Sequence, residues 1–168
     1  MRRTAVLVFA GSWFVGSWLA GSAIAQPPAA AQPRIAGVWK LNAGKSGATV
    51  PPGYVEIRQY AMRPDGYLVG LLIQGVPAGP YHYLQFTAKS DGKDYPEYSD
   101  QIVSDMIARG TPTIRTYAET LDDEFTTDWT DKVNGRVTGH GKKIVSQDGK
   151  TLTITVDGST QLRIYDRQ

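Results

Sequence analysis

The sequence predicts an all-β fold, an antiparallel up-and-down meander of eight to ten strands, and three observations carry that reading. First, turn signals recur at short intervals: Pro51-Pro52-Gly53, Pro64-Asp65-Gly66, Pro77-Ala78-Gly79-Pro80, Asp91-Gly92, Asn134-Gly135, Asp148-Gly149 and Asp157-Gly158. Such spacing reads as a series of hairpins. Second, the runs between them are rich in β-branched and aromatic residues: Val38 to Leu41, Tyr54 to Met62, Tyr67 to Ile73, Tyr81 to Ala88, Thr113 to Ala118, Phe125 to Thr130, Arg136 to Val145, Thr151 to Val156 and Gln161 to Tyr165. In the eighth run Leu152, Ile154 and Val156 alternate with Thr151, Thr153 and Thr155, the period of a half-buried strand. Third, a helix has few places to sit. Ser99 to Ala108 is the best of them, with Ile102, Val103, Met106 and Ile107 at near-helical spacing and Gly110 to end it, and it reads equally well as a further strand.

Ahead of the first strand the chain has a different character. Arg2 and Arg3 precede an apolar stretch from Thr4 to Ala20, and Ala23-Ile24-Ala25 follows, so residues 1–25 read as a secretory signal peptide cleaved after Ala25. An uncleaved anchor is the weaker reading, because Gly11, Ser12, Gly16 and Ser17 interrupt a run that falls short of the ~20 apolar residues of a membrane span. The expected location is therefore periplasmic or extracellular. Residues 26–33, rich in Pro and Ala, read as an extended tether, and residues 34–168 as a single domain.

Composition narrows the partners. The 18 Lys+Arg of the 168-residue chain, less Arg2 and Arg3 in the leader, become 16 against 16 Asp+Glu. A neutral mature chain gives no electrostatic case for nucleic acid or for anionic membranes. Without cysteine there is no disulfide, thiolate nucleophile or zinc-thiolate site, so an exported domain of roughly 140 residues must hold itself by its core. Closing the meander into a barrel also removes the exposed edges that a two-sheet sandwich would have to guard.

The two ends of the domain support closure. Gly37-Val38-Trp39 near its start and the arginines of Leu162-Arg163-Ile164-Tyr165-Asp166-Arg167 at its finish resemble the calycin superfamily of lipocalins and fatty-acid-binding proteins. That resemblance implies a lipocalin-like β-barrel in which Trp39 closes one end and Arg163 or Arg167 packs over it. Gly37 to Asn42 with Lys45-Ser46, Asp91 to Pro96, and Ser146 with Asp148 to Thr153 resemble a group of small secreted bacterial proteins of unassigned function. The fatty-acid-binding proteins end in an Arg-x-Tyr whose side chains hold a ligand carboxylate, and Arg163 and Tyr165 match its spacing. Residues two apart share a strand face, although Leu162 and Ile164 are the alternative inward pair. The helical lid of that family has no room between Ala43 and Gly53.

The resulting expectation is a barrel binding a small, mainly apolar ligand such as a fatty acid, with Arg163, Tyr165, Tyr81 and Tyr83 as candidate contacts. A filled barrel serving as an envelope interaction module, and a small barrel enzyme using His82, His140 or the acidic run Asp122-Asp123-Glu124 with Asp128, are the alternatives. The histidines lack metal-ligand spacing, and the sequence names no catalytic residue, metal or cofactor. Lys142-Lys143 reads as a solvated strand edge.

Overall fold

The computed structural model describes residues 33–47 and 50–168. The predicted leader, 1–25, and all but the last residue of the predicted tether lie outside the described residues. Ten antiparallel strands close into a barrel: β1 (Gly37–Leu41), β2 (Val55–Met62), β3 (Leu68–Gly75), β4 (Tyr81–Ala88), β5 (Tyr95–Ser99), β6 (Arg115–Leu121), β7 (Thr126–Val133), β8 (Arg136–Val145), β9 (Thr151–Ile154) and β10 (Arg163–Arg167). Each strand pairs with its neighbours in sequence. β1 and β10 complete the circle through Trp39 opposite Arg167 and Leu41 opposite Tyr165.

The turn chemistry sets the hairpins. Between β7 and β8, Asn134 and Gly135 both take positive φ, 50° and 77°, which a two-residue turn matched to the sheet's twist requires. One strand escaped the sequence reading. β5 contains Pro96, which cannot donate to a ladder, and it is short, pairing with β6 only through Tyr95 opposite Tyr117 and Pro96 opposite Thr116. The ambiguous segment is a helix, α2 (Asp100–Arg109), which Gly110 ends in the left-handed conformation by donating its N–H to Met106 O. The link between β1 and β2 carries a single helical turn, α1 (Ala43–Ser46), capped by the Asn42 side chain. Among the described residues, no helix is long and apolar enough to cross a membrane.

Trp39, Tyr60, Leu68, Phe86, Tyr117, Leu152 and Tyr165 form the centre of the core. Trp39 is fully buried at one end of the barrel, where its indole N–H donates to Ile35 O at 2.8 Å. The Arg167 guanidinium lies 4.2 Å from the Trp39 ring centroid and donates to the carbonyls of Ala36 and Arg34. Gly37, at φ 145°, makes room for it, since a Cβ there would overlap the guanidinium. Of the two arginines offered for this position, Arg167 fills it. Arg163 points into the barrel instead.

Candidate functional site

Alternation along the strands fixes which side chains face inward, and toward the open end of the barrel many of them are charged. On β2 the buried Tyr60 sets the inward parity, so Glu56 and Arg58 share its face. On β10 the fully buried Tyr165 does the same for Arg163, while Leu162 is left outside, 46% exposed. These residues meet at one carboxylate. Glu56 is fully buried and accepts from Arg58 Nη2 at 2.9 Å, from the Tyr165 hydroxyl at 2.6 Å, from the Tyr54 hydroxyl at 3.0 Å and from Arg163 Nη1. Burial alone would raise the Glu56 carboxyl, but Arg58, the Tyr165 hydroxyl and Arg163 outweigh it and hold it below its ordinary value. The Arg163-x-Tyr165 pair is thus turned inward, with a carboxylate of the protein itself in its grasp.

Across the barrel lies a second cluster. Lys143 of β8 is buried, donates to the Tyr117 hydroxyl, and stands 3.5 Å from Glu119 Oε2. Its ammonium sits over the rings of Tyr117, Phe86 and Tyr60, at 4.5, 5.1 and 5.1 Å from their centroids. Tyr117 passes its own proton bond to Glu119, which also accepts from Ser90 Oγ at 2.6 Å. The Lys142-Lys143 pair is therefore split: Lys142 is on the surface, bonded to Asp122 at 2.7 Å and Asp128 at 2.9 Å, whereas Lys143 is interior. Glu97 of β5 pairs with Arg115 of β6, and burial raises its carboxyl above the ordinary range.

Between the clusters is a cavity of about 240 Å³. Leu72, Leu84, Phe86, Ile154 and Val156 supply apolar wall, and Arg58, Lys143, Arg163 and Asp131 supply charge. A more open recess of about 310 Å³ shares Leu72, Gln74 and Leu84 with it and is bordered by Ser99, Asp100 and Gln101 at the start of α2. The recess and the cavity thus adjoin along these three side chains.

Several sequence candidates lie elsewhere. Tyr81 and Tyr83 have the outward parity of β4, are 52% and 43% exposed, and do not line the interior cavity, which takes Leu84 and Phe86 from that strand, although Tyr83 borders the recess. His82 pairs with Asp100 at 2.6 Å and borders the recess but not the interior cavity, whereas His140, paired with Asp157 at 2.9 Å, lines neither; each is more than half exposed. In the acidic run, Asp122 is bound by Lys142, Glu124 by Arg34 at 2.7 Å, and Asp123 accepts the backbone N–H groups of Phe125 and Thr126. Glu56, Arg58, Trp129 and Asp131 were not singled out from sequence, and Lys143, read there as a solvated edge, is buried. The one available signal was phase: Glu56, Arg58 and Tyr60 alternate on a strand whose aromatic member had to be buried.

No protein-family model and no curated protein matches the sequence. Among solved structures, the chain is similar to the Schistosoma mansoni fatty acid binding protein in complex with arachidonic acid, at 14% identity and a TM-score of 0.52, over 82% of this chain and 98% of that one. It is also similar to secretory abundant heat soluble protein 4 from Ramazzottius varieornatus, at 13% identity and a TM-score of 0.51, over 82% of this chain and 97% of that one. At such identities the likeness bears on the fold alone, a closed antiparallel barrel of the kind seen in that fatty acid binding protein.

Proposed function

We propose that this is an exported binding protein that holds a small, mainly apolar ligand inside its barrel. The observation that carries the reading is the interior cavity, apolar on most of its wall and adjoined by an open recess beside α2. A filled barrel would leave no such space. At about 240 Å³ the cavity is somewhat smaller than the ~300–1,000 Å³ of drug-sized sites, so the ligand is compact rather than a long acyl chain. The fatty-acid neighbour supports the ligand-binding use of the architecture, while Glu56, already bound to Arg58, Arg163 and Tyr165, argues against a ligand carboxylate at that position.

Export rests on residues 1–25 and predicts a mature protein beginning at Gln26. Mass spectrometry of the protein recovered from its own host checks both parts. Denaturing spectra should give the mass of residues 26–168 from a periplasmic or culture fraction; an intact leader in the cytosol contradicts export. Native spectra should show a co-purified small organic adduct, and a neutral apolar fluorescent dye should bind saturably. Absence of any saturable binding would overturn the ligand reading.

A further inference from the structure

The interior charges sort into partnerships that leave one carboxylate over. Glu56 takes Arg58 and Arg163, Glu97 takes Arg115, and Glu119 takes Lys143. Asp131 lines the cavity, yet among the described residues no donor bonds its carboxylate; Lys143, Arg115 and Arg58 act on it only from a distance. Two residues earlier on the same face of β7 is Trp129, which also lines the cavity. It is 9% exposed, and its Nε1–H has no acceptor among the described residues. Folded interiors rarely leave buried polar atoms without partners; Trp129 Nε1 shares that state with Glu97 Oε2 and Ser99 Oγ, and of these Trp129 is the one beside the half-buried Asp131 at the cavity.

The neighbouring strand places glycines opposite both residues, and at Gly141 the Thr155 backbone carbonyl occupies the space a Cβ would need. Gly141 pairs with Trp129 and Gly139 with Asp131, so no side chain of β8 crosses over either, and a Cβ on Gly139 would press to 3.4 Å from the Trp129 ring. The register shift immediately after Asp131 bends the hairpin at the same point.

We propose that Asp131 and Trp129 are the head-group anchors of the cavity, and that the ligand is an uncharged apolar molecule bearing a hydroxyl, an alcohol or a phenol. This deepens, and rests on, the binding-protein reading. A hydroxyl is both donor and acceptor, so it can donate to the Asp131 carboxylate and accept from the indole N–H, the two roles these groups leave open. An ammonium head donates to Asp131 but offers the indole nothing, and a carboxylate head would set like charge beside Asp131. The interior cations and carboxylates are already equal in number, so a neutral ligand enters without adding an uncompensated buried charge. Burial raises the Asp131 carboxyl above its ordinary value, and a hydroxyl donor would draw it back down.

The test is calorimetric titration of the mature protein at neutral pH with hexanol, hexylamine and hexanoic acid, three probes with one apolar body and different heads. Hexanol should bind best, and Asp131→Leu and Trp129→Phe should each weaken it about tenfold, the usual worth of a hydrogen bond to a charged or buried group. Because Asp131→Leu removes a half-buried charge with no bonded cation, its melting temperature should not fall, which separates lost binding from lost folding. A carboxyl NMR titration should show the Asp131 pKa falling when hexanol binds. Hexanoic acid or hexylamine binding as tightly as hexanol, or hexanol binding unchanged in Asp131→Leu, overturns the assignment. If none of the probes binds while a neutral apolar dye does, the head-group assignment fails and the cavity reading stands; if the dye also fails to bind, both fall.

Discussion

At the closed end of the barrel, Trp39 is sealed by Arg167, and every polar atom of that contact has a partner: the indole N–H on Ile35 and the guanidinium on backbone carbonyls. Toward the open end, the same inward alternation delivers Glu56, Arg58, Arg115, Lys143, Asp131 and Arg163; among the described residues it leaves Trp129 Nε1, Glu97 Oε2 and Ser99 Oγ buried without partners, and the half-buried Asp131 carboxylate at the cavity without a donor. One half of the barrel is arranged for stability. The other carries buried charge that costs stability unless it is used, the usual mark of a site.

That contrast predicts where mutations act, beginning with the largest effect. Trp39→Ala should cost about 3–5 kcal/mol, as buried tryptophans do, measured by chemical denaturation, while leaving the dye affinity of the folded protein unchanged. A changed affinity would mean that the two ends are not separable. Glu56→Ala should cost about 3 kcal/mol, because Arg58 and Tyr165 lose a common acceptor inside the barrel. The sign with pH follows from its lowered carboxyl: the Glu56 contribution is complete above its unfolded value of about 4.3 and is lost as pH falls through the lower folded value.

Asp131→Asn is the smallest change and has the opposite sign, a gain of about 1 kcal/mol at neutral pH from removing a half-buried carboxylate that no cation bonds. Its carboxyl is raised by burial, so the folded state binds the proton more tightly than the unfolded one. The wild type therefore loses stability as pH rises from about 3.9 through the raised folded value, and the gap to Asp131→Asn should open over that window and close in acid. Glu97, also raised by burial, contributes a slope of the same sign, so the comparison is best read as a difference between Asp131→Asn and wild type at each pH.

How much of this was legible in the sequence follows the same divide. The closed end could be read because Gly37-x-Trp39 and a terminal arginine are distinctive, and because Asn134-Gly135 and its fellow turn pairs announce hairpins without reference to the interior. The open half could not, because the alternation argument assumes an apolar inside. On β2, Glu56 and Arg58 look like a solvent face when they are the interior one, and on β4 the outward Tyr81 and Tyr83 look more like a ligand wall than Leu84 does. Arg163 and Tyr165 were distinguished from Leu162 and Ile164 only once Tyr165 was seen to be fully buried. β5 was hidden by Pro96, a residue tolerated there because the strand's ladder to β6 is so short.

The central claim is that the open half encloses a binding cavity, and Leu84→Trp tests it most directly, since Leu84 lines both the interior space and the recess adjoining it. Titration of a neutral apolar dye into wild type and into Leu84→Trp, with circular dichroism to confirm that the variant keeps its barrel, is the measurement. Saturable binding by wild type and its loss in the folded variant is the predicted result. Equal dye binding by both would contradict the account and place any ligand outside the barrel.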